Sequence, residues 1–201
     1  MQFNQETLFN VVLHTTNVCS ANQVGAVKLH KVLYYLDMIH FAQHGTPFFG
    51  GSYKKRPYGP TCVELLKSLR VMENENLLEI DTVEYFGFRK KQYTPKKEAN
   101  LGFLNEIQVS LLNEVVDFVC KNNSATTISE FSHNAAWEIA EFGDEIPYQS
   151  AFLIYPTDAS EDALEWAALE ENVNAIEESR KTSVEFVDFA SFRSRVLEQH
   201  K

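Results

Sequence analysis

Val27-Lys28-Leu29-His30-Lys31-Val32-Leu33-Tyr34-Tyr35-Leu36-Asp37-Met38-Ile39-His40-Phe41-Ala42-Gln43-His44-Gly45 reads as one helix, apolar over most of its circumference. Leu29, Val32, Leu33, Leu36, Met38 and Ile39 recur at three- and four-residue steps, and Tyr34, Tyr35 and Phe41 widen the face they form. A helix of that kind sits at the centre of a small domain. Gly45 stands where a left-handed cap ends a helix, and Pro47 blocks continuation.

Outward from this helix the chain runs Thr46-Pro47-Phe48-Phe49-Gly50-Gly51-Ser52-Tyr53-Lys54-Lys55-Arg56-Pro57, then Tyr58-Gly59-Pro60-Thr61. The last four residues read as a turn. Pro60 has no amide proton to lose and suits the first turn of a helix expected over Thr61–Met72, with Val63, Leu66 and Leu69 at three-residue steps. Two readings of Tyr58 and Gly59 stand side by side: they fix a tight turn, or they also touch a partner.

These blocks resemble the Panacea domain, the SocA-like, phage-associated antitoxin family. The matching residues are Lys28-Leu29-His30-Lys31-Val32-Leu33-Tyr34-Tyr35, then Pro47-Phe48-Phe49, then Tyr58-Gly59-Pro60. Tyr93-Thr94-Pro95, Trp137 and Ile146-Pro147-Tyr148 also fit, so the similarity spans roughly residues 5–155. One position departs: the family usually has a large aromatic two residues before the turn tyrosine, and Arg56 stands here. The resemblance implies an antitoxin that neutralises a cognate protein toxin, encoded by an adjacent gene, through direct binding. It also allows an adaptor that delivers the toxin to a protease.

Composition bounds the rest. With 201 residues, 44% of them hydrophobic, the chain can bury one good core. No apolar run approaches the length of a membrane span, and Met1-Gln2-Phe3-Asn4-Gln5-Glu6 lacks the order of a signal peptide. Cys19, Cys62 and Cys120 lie far apart in sequence, which suits structural thiols in a reduced, cytoplasmic protein. Charge is uneven. Residues 1–121 hold 13 Lys/Arg and 12 Asp/Glu, whereas residues 122–179 hold 13 Asp/Glu and neither Lys nor Arg. Such a block repels nucleic acid and attracts basic partners.

Further helices are expected from Asn4 or Thr7 to Cys19, over Asn100–Lys121 with Leu104, Ile107, Leu111, Val115 and Phe118 as its stripe, and from a capping box at Thr127 and Glu130. Leu77–Thr94 reads as two short strands in a hairpin around Gly87, with Arg89, Lys90 and Lys91 on the second. After Pro156, Asp158 caps a helix carrying Trp166, Leu169, Val173 and Ile176, and Thr182-Ser183-Val184-Glu185 starts another.

No catalytic set emerges. His40 and His44 are one turn apart, but the glutamate of a zinc protease and a third ligand are missing. There is no nucleophile elbow, phosphate loop or dinucleotide fingerprint. The expectation is therefore a non-enzymatic protein without cofactor or metal. Its fold class is α+β, mainly α: a compact helical domain with a small antiparallel β-hairpin of winged-helix type, plus C-terminal helices. Residues 1–156 form the domain, and 157–201 an acidic helical extension packed on it or on a partner. The expected partner-binding residues are Tyr35, Lys54, Lys55, Arg56, Tyr58, Gly59 and Pro60, because exposed Tyr and Arg are enriched among interface hot spots. A DNA-binding regulator using the basic strand as a wing is the alternative of a different class, disfavoured by the acidic balance.

Overall fold

The computed structural model describes residues 2–85 and 88–154, together with Phe189, Ala190, Arg193 and Leu197. The chain divides into two units, Met1–Ile154 and Tyr155–Lys201. The helix expected from Asp158 lies outside the described residues; of the one expected from Thr182, Phe189, Ala190, Arg193 and Leu197 are described and are helical.

Helix α2 (Ala26–His44) is the centre of the first unit, and fourteen of its residues are buried, from Lys28 to Ala42. Gly45 ends it with φ 71°, and its amide donates to Phe41 O at 2.7 Å. That left-handed conformation is the reason for glycine at this cap. Helix α1 (Gln5–Val18) starts at Asn4, whose side chain accepts from Thr7 N at 3.0 Å. It lays Leu8, Val11, Val12 and Thr15 against the core.

Two strand pairs complete the class read from the sequence, a mainly helical α+β fold with small antiparallel sheets. β1 (Tyr53–Lys54) pairs with β2 (Thr61–Cys62), and β3 (Leu78–Tyr85) pairs with β4 (Phe88–Pro95) from Leu78↔Pro95 to Tyr85↔Phe88. The hairpin lies where Leu77–Thr94 placed it. β4 packs on α1, and β3 on α3 (Leu65–Asn74). Lys90 Nζ ties the ribbon to the loop before α2 through Ala21 O and Asn22 O, at 3.1 and 3.0 Å.

Three helix boundaries differ from expectation, one because distant partners hold the chain extended and two because a different cap is made. Pro60 does not open a helix: Thr61 and Cys62 stay extended against β1, and Cys62 N donates to His30 Nδ1 at 3.1 Å. Helix α3 therefore begins at Leu65 and buries Leu65, Ser68, Leu69 and Met72, while Val63 and Leu66 face outward. Helix α4 (Glu106–Val116) begins after Asn105, because Asn105 and Gln108 form a reciprocal capping box. Asn100 instead receives Gly102 N and donates its own amide to Asn10 Oδ1. Helix α5 (Ala125–Phe131) is capped by Ser124, which accepts from Thr127 N, so the Thr127–Glu130 box is not made.

Past Val116 the α4 ladder widens into a π-turn, Asp117–Lys121. Lys28 Nζ from α2 donates to Cys120 O there at 2.9 Å. Helix α6 (Ala135–Ile139) and a 3-10 turn (Tyr148–Leu153) close the unit over α2. All three cysteines are free and buried. Among the described residues no helix is long and apolar enough to cross a membrane.

Candidate functional site

The loop between α2 and α3 is anchored at its first half by one buried carboxylate. Asp37 has no exposed surface. Its Oδ1 accepts from Phe49 N at 2.8 Å and Gly50 N at 3.2 Å. Its Oδ2 accepts from Gly51 N at 2.9 Å and is reached by the hydroxyls of Tyr53 at 2.9 Å and Tyr148 at 2.8 Å. Burial pushes the carboxyl above its ordinary value, and the convergent donors pull against that. Each hydroxyl also faces a carbonyl, Leu33 O at 2.8 Å for Tyr53 and Gly51 O at 2.6 Å for Tyr148. One carboxylate thus joins α2, the loop, β1 and the 3-10 turn.

The second half of the loop is anchored through its own carbonyls. Trp137 Nε1 donates to Arg56 O at 3.2 Å, Ser129 Oγ to Tyr58 O at 3.0 Å, Thr61 Oγ1 to Gly59 O at 3.3 Å and Lys31 Nζ to Pro60 O at 3.1 Å. Gly59 closes the turn by donating to Arg56 O at 2.9 Å, with φ 92°. A Cβ at Gly59 would run into Ser132 Oγ and the Lys31 ammonium, so both conformation and space require glycine.

The layer under this turn is polar and buried. Burial pushes the Lys31 amine down to about 7 and the His30 imidazole down to about 4. Asn134 Nδ2 and His133 Nε2 are enclosed there without a hydrogen bond.

Above the turn the chemistry opens to solvent. Tyr58 is 71% exposed, and Arg56 and Pro57 are exposed beside it. Trp137 forms the floor of the adjoining surface. His133 stacks on its ring at 3.9 Å, Phe142 meets it edge-on at 5.9 Å, and Lys55 Nζ sits 4.0 Å from its centroid. Lys55 Nζ also donates to Ala140 O at 2.9 Å. Ile139 and Phe142 project outward, 74% and 66% exposed.

The structure sorts the residues expected at a partner surface. Tyr35 is a correction: it is fully enclosed, its ring 5.5 Å from Tyr34 and 6.0 Å from Phe118, and it presents nothing to a partner. Lys55 is a second, because its ammonium is buried against Trp137 and backbone carbonyls. Gly59 and Pro60 are buried parts of the turn. Lys54 is half-buried in β1, and its backbone pairs antiparallel with that of Glu145. Arg56 and Tyr58 alone of the seven are exposed. Sequence reasoning missed Ile139 and Phe142. Their signal was present as two apolar residues at an i, i+3 spacing inside the acidic run.

The rings of His40 and His44 lie 4.6 Å apart and tilted by 57°, with His40 Nδ1 2.7 Å from Thr46 O. Among the described residues no group of three His, Cys, Asp or Glu is placed to hold a metal ion.

Residues 29–138 match the family described as Antitoxin SocA-like, Panacea domain. No curated protein and no solved structure gives a match to the chain. The matched span covers more than half of the 201 residues. It runs from the first turns of α2 through Asp37, the Tyr58-Gly59-Pro60 turn and Trp137, the residues that build the geometry above. By that match the chain belongs to the SocA-like Panacea antitoxin family.

Proposed function

We propose that this protein neutralises a cognate protein toxin by binding it directly, and that the surface around Arg56, Tyr58 and Trp137 is part of the contact. The observation that carries this is a turn whose carbonyls at Arg56, Tyr58, Gly59 and Pro60 are all bonded, yet which projects Tyr58 and Arg56 into solvent. A rigid aromatic and a planar cation on a fixed backbone lose little entropy on binding, and such residues are typical interface hot spots. Nothing about the arrangement needs chemistry beyond recognition, so we take the protein to be a binding module and not an enzyme. We take residues 1–156 as that module and 157–201 as an extension that docks on it or on the partner.

The hairpin supports this against direct DNA contact. Strand β3 carries Glu79, Asp81 and Glu84, the last directly opposite Arg89, and these balance Arg89, Lys90 and Lys91 on β4, so the two strands offer phosphates no net positive charge.

Co-expression in bacteria with each open reading frame adjacent to the gene is the test. The expected result is one neighbour that arrests growth alone and is harmless with this protein present. Measuring the neighbour's level alongside growth distinguishes inhibition, in which it persists, from delivery to a protease, in which it disappears. If no neighbour is toxic, or growth stays arrested with this chain in excess, the proposal is wrong.

A further inference from the structure

The segment after Trp137 is built to project. Helix α6 ends at Ile139, Ala140 turns extended with ψ 154°, and Gly143 takes φ 97°. The far end is stitched to β1 and its continuation. Gly143 N donates to Lys55 O at 3.1 Å, Lys55 N to Asp144 O at 3.0 Å and Ile146 N to Tyr53 O at 2.8 Å. Asp144 N donates back to Glu141 O at 3.1 Å, and Lys55 Nζ holds Ala140 O from beneath. The two exposed apolar side chains, Ile139 and Phe142, therefore stand on a short arm pinned at both ends.

The arm's own exposed charge is of one sign, while the Lys55 ammonium is buried beneath it, 5.2 Å from the Phe142 ring. Glu138, Glu141, Asp144 and Glu145 surround the pair, all four are exposed, and none is in an ion pair among the described residues. Exposed apolar groups rimmed by polar ones mark a docking site. A rim of four carboxylates excludes a nucleic acid and an anionic lipid surface, since both would be repelled. It fits a protein surface with an apolar depression edged by Lys or Arg, where opposite potentials speed encounter and buried apolar area slows release.

We infer that the arm Ile139–Phe142 is the anchor of the toxin contact, and that the toxin receives it in an apolar cleft lined at its edge with basic residues. This rests on the antitoxin proposal and names the chemistry of the partner in it. Ile139 and Phe142 enter the cleft. Glu138, Glu141, Asp144 and Glu145 face its basic edge. Arg56 and Tyr58 contribute at the flank of the same contact.

The test uses the full chain and, as probe, the purified product of each adjacent open reading frame, with association and dissociation rates measured at low and high salt. Ile139→Asp combined with Phe142→Ser should speed dissociation of the neighbour by more than tenfold. Glu138→Gln, Glu141→Gln, Asp144→Asn and Glu145→Gln together should slow association several-fold at low salt and flatten its salt dependence. Both variants should melt within a degree or two of the wild type, because the changed side chains are exposed. Unchanged rates in folded variants would overturn the inference while leaving the antitoxin proposal standing. Binding by no neighbour removes both. Self-association of the wild type that the arm variant abolishes would assign the arm to a second copy of this chain and overturn the basic-cleft partner. An Ile139→Asp single variant serves where Phe142→Ser, which also loses its contact with Trp137, fails to fold.

Discussion

The loop from Phe48 to Pro60 has two halves that solve the same problem in opposite ways. In the first half, backbone amides and tyrosine hydroxyls turn inward onto Asp37, and the side chains that could meet a partner are buried. In the second half, carbonyls are held from outside by Lys31, Ser129, Thr61 and Trp137, and the side chains of Arg56 and Tyr58 are released to solvent. A buried acceptor collects amides and makes a knot. A ring of donors collects carbonyls and makes a platform. The difference predicts that damage to the first half is felt as stability, and damage to the second as affinity.

The strongest way to break that division is Asp37→Ala. It leaves the amides of Phe49, Gly50 and Gly51 without their acceptor, while the Tyr53 and Tyr148 hydroxyls keep Leu33 O and Gly51 O, and unsatisfied buried donors cost about 1–3 kcal/mol each, non-additively. A loss of about 4 kcal/mol in urea unfolding is expected, with Asp37→Asn retaining part of it. A loss below about 1 kcal/mol would show that the knot is incidental. Next comes Gly59→Ala, which forces an L side chain into positive φ and against Lys31 and Ser132. It should cost about 2–3 kcal/mol, whereas Tyr58→Ala, one residue away and exposed, should change stability by less than about 0.5 kcal/mol. If the two losses were equal, the platform and its display would be one thing. Arg56→Ala should weaken toxin binding by about 1–2 kcal/mol with no change in melting temperature, read by calorimetry once the toxin is in hand.

A last effect, spread over a range of pH, concerns the buried polar layer under the turn. The folded chain sheds the Lys31 proton near pH 7, whereas an exposed lysine keeps it to about 10.4. Above pH 7 the unfolded chain therefore binds more protons, and stability rises with pH by up to about 1.4 kcal/mol per unit. The window runs to about pH 8.5, where thiols of the unfolded chain begin to ionise. His30 acts in the same sense lower down. Its imidazole, held neutral to about 4 and accepting from Cys62 N, costs stability as pH falls below about 6.5. Lys31→Met should flatten only the upper limb in chemical denaturation series.

What the sequence made legible was local. Asn4, Gly45 and the apolar period of α2 are signals within a few residues, and each lies where it was expected. The hairpin was readable because alternation and Gly87 sit side by side in the chain. The boundary misplaced at Pro60 has a different cause. Pro60 is a good helix opener, but the pairing of Tyr53 with Cys62 and the bond from Cys62 to His30 keep the next residues extended. The site shows the same limit. Tyr58-Gly59-Pro60 was recognisable, but the floor beneath Arg56 comes from Trp137, some 80 residues onward, and burial of Tyr35 and Lys55 depends on the same distant segment and on Phe118. Asp37 gave no sign of its role. An aspartate in an apolar helix is visible, but the donors that converge on it come from two other parts of the chain.

The division between knot and platform is tested most directly by one growth measurement. Bacteria expressing the toxic neighbour are given either the wild type or an Arg56→Ala, Tyr58→Ala, Ile139→Asp variant that accumulates and melts like the wild type. The account predicts full growth with the wild type and arrest with the variant. Equal growth with both would contradict it, as would arrest with the wild type itself.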